Sequence, residues 1–179
     1  MIKNQFDLYN SNKEWYDYLP ERKYMILDFF PTCKGRTLNV GVHDFNKNDG
    51  ECFQEKHLYE TIDIDERTIE FGSKYKHSVT DFLDYKQNYK LNNIILFGVL
   101  GIWNGCGGYN YTLHNNETVL IKKIDELLEI GGKVLLGPDV DKKSGAGENS
   151  YSTIDFWKNL VTQNEIFKNK YNIIKNFMG

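Results

Sequence analysis

Three strand-like apolar patterns follow one another along the chain, and their succession limits the fold more than any other feature. They are Arg36-Thr37-Leu38-Asn39-Val40-Gly41-Val42, Tyr59-Glu60-Thr61-Ile62-Asp63-Ile64-Asp65 and Asn93-Ile94-Ile95-Leu96-Phe97-Gly98-Val99-Leu100. The third is apolar on both faces, the mark of a central strand in a parallel sheet covered on both sides. Gly41 and Asp63 stand 22 positions apart, close to the roughly 20 expected when a glycine turn meets one end of a nucleotide and an acid on the next strand meets its ribose.

The segments between these strands fit the same plan. Trp15, Tyr18, Leu19, Met25, Ile26, Leu27, Phe29 and Phe30 recur at mostly helical intervals, which predicts a capping helix over about 12–30, interrupted at Pro20. The polar stretch from His43 to Lys56 is a poor helix. Glu66–Gly72 reads as a short helix ending at its glycine, and His77-Ser78-Val79-Thr80-Asp81-Phe82 as a third short strand. Val119, Leu120, Ile121, Ile124, Leu127, Leu128 and Ile130 form one apolar face of a helix over 116–130, with Gly131-Gly132 as its left-handed stop. A fifth strand over Lys133–Gly137, a helix over Thr153–Val161 and a final strand over Tyr171–Ile174 complete the pattern. Strands alternating with helices imply an α/β, doubly wound, mostly parallel sheet with helices on both faces.

Length and composition agree with one domain over 1–179. A chain of 179 residues buries roughly 70% of its unfolded surface in a single core. Its 40% hydrophobic and 26% charged residues are those of an ordinary globular protein. A net charge of −3 provides no broad positive field, so nucleic acid is disfavoured as a partner. Cys33, Cys52 and Cys106 are odd in number and far apart, which fits neither a disulfide framework nor a metal knuckle and suits a reducing cytoplasm. No apolar run reaches the 18 or so residues of a membrane span. Oligomeric state is not written in these residues.

In a doubly wound sheet, ligands sit beyond the carboxyl ends of the strands. The residues there are Gly41–Asp44, Asp63–Asp65, Asp81–Phe82, Gly98–Gly108 and Gly137–Asp141. A glycine after the first strand admits close backbone approach, and an acid after the second accepts hydrogen bonds from ribose hydroxyls. Asp81 with Phe82 offers a carboxylate, a backbone amide and an aromatic face to a purine. Asp139 and Asp141 flank Val140, but two carboxylates are too few for a cation site, and no metal is expected.

On these residues the chain resembles the class I S-adenosylmethionine-dependent methyltransferases, over roughly residues 20–175. The resemblance rests on Leu38-Asn39-Val40-Gly41, Thr61-Ile62-Asp63-Ile64-Asp65, Val79-Thr80-Asp81-Phe82, the strand Ile94–Leu100, and Leu127-Leu128-Glu129-Ile130-Gly131-Gly132-Lys133-Val134-Leu135-Leu136. It implies S-adenosylmethionine as cofactor, with Asp63 on both ribose hydroxyls, Ile64 against adenine and Asp81 accepting from the adenine amino group. Asn39, Gly41, His43, Phe82 and Gly98 complete the implied cofactor contacts. One glycine survives of the family's usual glycine-rich turn, since His43 and Phe45 occupy the later positions.

Methyl transfer from a sulfonium asks mainly for in-line positioning in a water-poor site, plus a base where the acceptor must lose a proton. The candidate bases are His114, His43 and Asp139, with His114 preferred. The Asn/Asp-Pro-Pro-aromatic signature of enzymes that methylate nucleic-acid amino groups is absent after the fourth strand, so the expected acceptor is a small polar molecule such as a sugar or metabolite. Two other readings remain: a non-catalytic binding or assembly module of the same fold, and an NAD(P)-dependent oxidoreductase using Gly41 and Asp63.

Overall fold

The computed structural model of the chain describes residues 26–30, 32–42, 47–96, 117–136 and 164–171. Among these, five strands form one all-parallel sheet in the order β3-β2-β1-β4-β5. The strands are β1 (Thr37–Val40), β2 (Tyr59–Asp63), β3 (Lys76–Val79), β4 (Leu91–Leu96) and β5 (Leu128–Leu136). The order reverses between β1 and β4, the switch point at which such sheets open a crevice. No helix among the described residues is long and apolar enough to cross a membrane.

Alternation along the strands sends side chains to two cores. Leu38 and Val40 of β1, Ile62 of β2 and Ile94 and Leu96 of β4 meet Phe82, Tyr85 and helix α1 (Glu117–Leu127) on one face, with Ile166 of helix α2 (Glu165–Lys170) and Tyr171 packed against them. Tyr59, Ile95 and Leu135 meet Ile26, Phe30, Cys33, Phe53 and Tyr75 on the other. Residues 26–29 are helical, which is the described end of the expected capping helix. Both faces are therefore covered, as the apolar central strands require.

Several boundaries differ from the expected ones, each for a local reason. β1 stops at Val40 because Gly41 turns to φ 74°. β3 covers Lys76–Val79 and not 77–82, because the Asp81 side chain accepts from the Leu83 amide (2.8 Å) and opens a turn. Glu66–Ser73 is a 3₁₀ segment, not an α-helix, and the polar stretch before β2 holds two more, Asp49–Cys52 and Lys56–Leu58.

The largest correction concerns the double glycine. Helix α1 ends at Leu127 and β5 begins at once, so Gly131-Gly132 lie inside the strand and do not cap the helix. Leu128 pairs with Leu91, but the following pair is Lys133 with Asn93, so β5 bulges between them. Gly131 takes φ 80° in that bulge, Ile130 is fully exposed and Leu128 is buried. Burying Leu128 beside Leu91 leaves no room for another helical turn. Helix α2 was not foreseen. The expected helix at 153–161 and all of the expected strand at 171–174 beyond Tyr171 lie outside the described residues.

At the amino end of β2, Glu60 is buried with its carboxylate held from three sides. Tyr85 donates to Oε2 (2.7 Å), Tyr89 donates to Oε1, and Lys76 Nζ lies 2.8 Å from Oε2 while itself donating to the Tyr89 hydroxyl (2.7 Å). These groups anchor the β3–β4 connection to the sheet. Burial raises the Glu60 pKa, but hydrogen bonds from Lys76, Tyr89 and Tyr85 and the Lys76 charge outweigh it and hold the carboxyl below its ordinary value of 4.5. Burial and Glu60 together push the Tyr85 hydroxyl far above its ordinary value.

Two outcomes follow from these features. Replacing Glu60 by Ala strands the buried Tyr85 hydroxyl, while Lys76, 60% exposed, returns to water; urea denaturation is expected to show a loss of about 2 kcal/mol. The Glu60 contribution is complete above pH 4.5 and is lost as pH falls through the lower folded value, so the variant and the parent converge in stability on acidification. Gly41→Ala forces a side chain into left-handed backbone and is expected to cost about 1–2 kcal/mol in the same assay.

Candidate functional site

The carboxyl ends of β1, β2 and β3 are joined by backbone hydrogen bonds that all land on β2. The Gly41 and Val42 amides both donate to the Ile62 carbonyl (2.9 and 3.2 Å), and the Thr80 amide donates to the Asp63 carbonyl (2.8 Å). The positive-φ turn at Gly41 and the Asp81–Phe82 turn therefore flank Asp63, the last residue of β2. Three of the strand-end positions singled out in the sequence are brought together at one edge of the sheet.

Asp63 is half-buried, and its Oδ1 accepts from the Asp65 amide (2.7 Å). That Asx-type bond fixes the carboxylate's rotamer and folds the chain back over the strand end. Ile64, inside this turn, is also half-buried. Asp65 caps the following 3₁₀ segment by accepting from the Arg67 amide (3.0 Å), and its carboxylate also pairs with the Arg67 side chain. Thr68 closes the turn through its hydroxyl, which donates to the Asp65 carbonyl (2.6 Å).

Asp81 is half-buried, with Oδ1 accepting from the Leu83 amide. The Phe82 ring does not line the crevice. It is 3% exposed and packed in the core with Leu38, Val40 and Ile62, because the Asx turn at Asp81 rotates it inward. Its backbone amide has no acceptor among the described residues.

The Asn39 side chain is likewise turned inward, with no exposed surface. Its Nδ2 donates to Asp49 Oδ2 (3.0 Å) and to the Tyr59 hydroxyl (2.8 Å), while Oδ1 has no donor among the described residues. Alternation explains the orientation: Asn39 lies between Leu38 and Val40, which face the opposite core. His43, Gly98, His114 and Asp139, together with the aromatic segment from Trp103 to Tyr111, lie outside the described residues.

The site contains residues that the sequence reading passed over. His77 bridges the hydroxyls of Thr61 (2.8 Å) and Thr68 (2.9 Å), and Asp49 is a buried carboxylate held by Asn39. Thr61 and His77 are 16 positions apart and meet only through β2–β3 register. Asp49 sits in a turn-prone polar run where an acid reads as solvated. The one available signal was the polar Thr at the centre of a buried strand, since a hydroxyl there needs a partner.

No protein-family profile and no curated protein matches the chain in sequence. In structure, the chain is similar to the N-methyltransferase NodS from Bradyrhizobium japonicum WM9, with a TM-score of 0.53 at 17% identity over 88% of this chain and 84% of NodS. It is also similar to Streptomyces venezuelae DesVI, with a TM-score of 0.50 at 13% identity over 82% of this chain and 62% of DesVI, less than two thirds of that protein. With its five-stranded all-parallel sheet, the chain has the Rossmann-like fold of the class I S-adenosylmethionine-dependent methyltransferases.

Proposed function

We propose that the chain transfers a methyl group from S-adenosylmethionine to a small polar acceptor, a sugar or metabolite hydroxyl or amine. The observation that carries this reading is the clustering of Gly41, Asp63 and the Asp81–Phe82 turn around the last two carbonyls of β2. A ribose presents two hydroxyl donors, and Asp63 supplies a carboxylate to accept them. An adenine edge presents an amino donor beside a ring-nitrogen acceptor. Asp81 and the Phe82 amide supply the complementary pair. Ile64 offers apolar surface to the base from the turn after β2.

When bound, S-adenosylmethionine supplies a methyl group already activated on a sulfonium. The chain's task is then to bind and orient. Asp63 and Asp81 fix the two ends of the nucleoside, and the Gly41 turn lets backbone approach the donor without a side chain in the way. Asn39 supports the floor of the site through Asp49 and Tyr59. Gly98, at the end of the longest apolar strand pattern, and His43, after Gly41, complete the proposed donor contacts. An acceptor hydroxyl or ammonium gives its proton to His114, with His43 and Asp139 the other candidate bases. The retention of a single glycine after β1 weighs against a dinucleotide, whose pyrophosphate needs the fuller turn. The odd number and wide spacing of Cys33, Cys52 and Cys106 suit a cytoplasmic setting.

Titration calorimetry with S-adenosylhomocysteine and with NAD tests the donor assignment. S-adenosylhomocysteine is expected to bind and NAD is not; NAD binding alone would move the chain to the oxidoreductases, and binding of neither to a non-catalytic module. Asp63→Ala is expected to weaken S-adenosylhomocysteine binding by about 1.5–3 kcal/mol, the range for losing a charge-assisted hydrogen bond. His114→Ala is expected to lower turnover with donor affinity unchanged, and full activity in that variant would assign the proton to another group.

A further inference from the structure

His77 stands on β3 opposite Thr61 of β2, and its ring spans the turn that carries Asp63. The positions of the protons along this chain of groups follow from what each atom is able to donate. Thr68 has one hydroxyl proton, committed to the Asp65 carbonyl at 2.6 Å, an atom that only accepts. The Thr68 oxygen, 2.9 Å from His77 Nε2, must therefore accept there, and Nε2 carries the proton. A neutral ring protonated on Nε2 has its lone pair on Nδ1, so the Thr61 hydroxyl, 2.8 Å away, donates to it. The sequence runs from Thr61 through His77 and Thr68 to the Asp65 carbonyl, and the Asp65 amide in turn donates to Asp63 Oδ1 (2.7 Å).

We infer that His77 is a positioning residue for the nucleoside end of the methyl donor: its neutral ring ties the Asp63–Asp65 turn to the centre of β2 and so fixes the direction in which Asp63 offers its carboxylate. The inference rests on the donor reading above and adds to it a residue that touches neither donor nor acceptor. Burial lowers the His77 pKa, which favours the neutral ring. The groups that face it, the two threonine hydroxyls and the Phe71 ring (centroids 5.7 Å apart, interplanar angle 65°), are uncharged. A protonated ring would need an acceptor at Nδ1, and Thr61 accepts only by turning its own proton into the buried interior. Thr61 is 2% exposed.

The test is a calorimetric cycle with S-adenosylhomocysteine on the parent chain, His77→Phe, Asp63→Ala and the double variant. His77→Phe is expected to weaken binding about tenfold on the parent background and less than about twofold on the Asp63→Ala background, because the relay has nothing left to position. Gln places its amide near the Nε2 position and Asn near Nδ1, so His77→Gln keeps the Thr68 bond and retains affinity to within about threefold, whereas His77→Asn does not. Should His77→Phe fail to fold, the Gln and Asn variants carry the comparison. Equal affinity of parent and His77→Phe, equal losses on both backgrounds, or Asn outperforming Gln would overturn the positioning role and leave the donor reading intact. A parent chain that binds no S-adenosylhomocysteine would overturn both.

Discussion

The carbonyl of Ile62 is the fixed point of this molecule's functional edge. Two successive amides, from Gly41 and Val42, converge on it, and they do so only because Gly41 takes a left-handed conformation closed to most residues. Without that turn β1 would continue past the sheet edge, as the apolar pattern through Val42 invites. Parallel pairing of β1 with both β2 and β4 then sets the heights of every strand end relative to this carbonyl. The site is a consequence of register: Asp63 and the Asp81 turn are placed by how far β2 and β3 run before they stop.

The two ends of β2 illustrate how burial decides the use of an acid. Glu60, at the amino end, has its oxygens met by Tyr85, Tyr89 and Lys76 and serves to anchor a connection. Asp63, three residues on, sits half-buried at the carboxyl edge, with one oxygen engaged by the backbone that follows it. Both are carboxylates on one short strand. One is surrounded by donors from its own chain, and the other stands where a parallel sheet leaves its crevice.

Much of this arrangement was legible in the sequence. The strand patterns read at 36–42, 59–65 and 93–100 overlap the strands at 37–40, 59–63 and 91–96, and Gly41 and Asp63 announce themselves by their place in those runs, Asp81 by its place in the pattern at 77–82. The double glycine misled, because a left-handed glycine ends a helix and opens a strand bulge equally well; burial of Leu128 against Leu91 chose the bulge. Phe82 looked like a ligand face and is core, since an Asx turn one residue earlier aims it inward. Asn39 looked like a ligand contact and has its amide committed to Asp49 and Tyr59.

By itself the sequence determined the class of fold and the residue types at the sheet's open edge, because hydrophobic periodicity and turn chemistry act between near neighbours along the chain. Only the tertiary structure decided which polar groups face one another. Thr61 with His77, Glu60 with Tyr85 and Tyr89, and Asn39 with Asp49 and Tyr59 are paired across strands and loops. Such pairings depend on register and on which way each side chain turns, and a buried polar atom is satisfied by whatever the fold brings within about 3 Å of it.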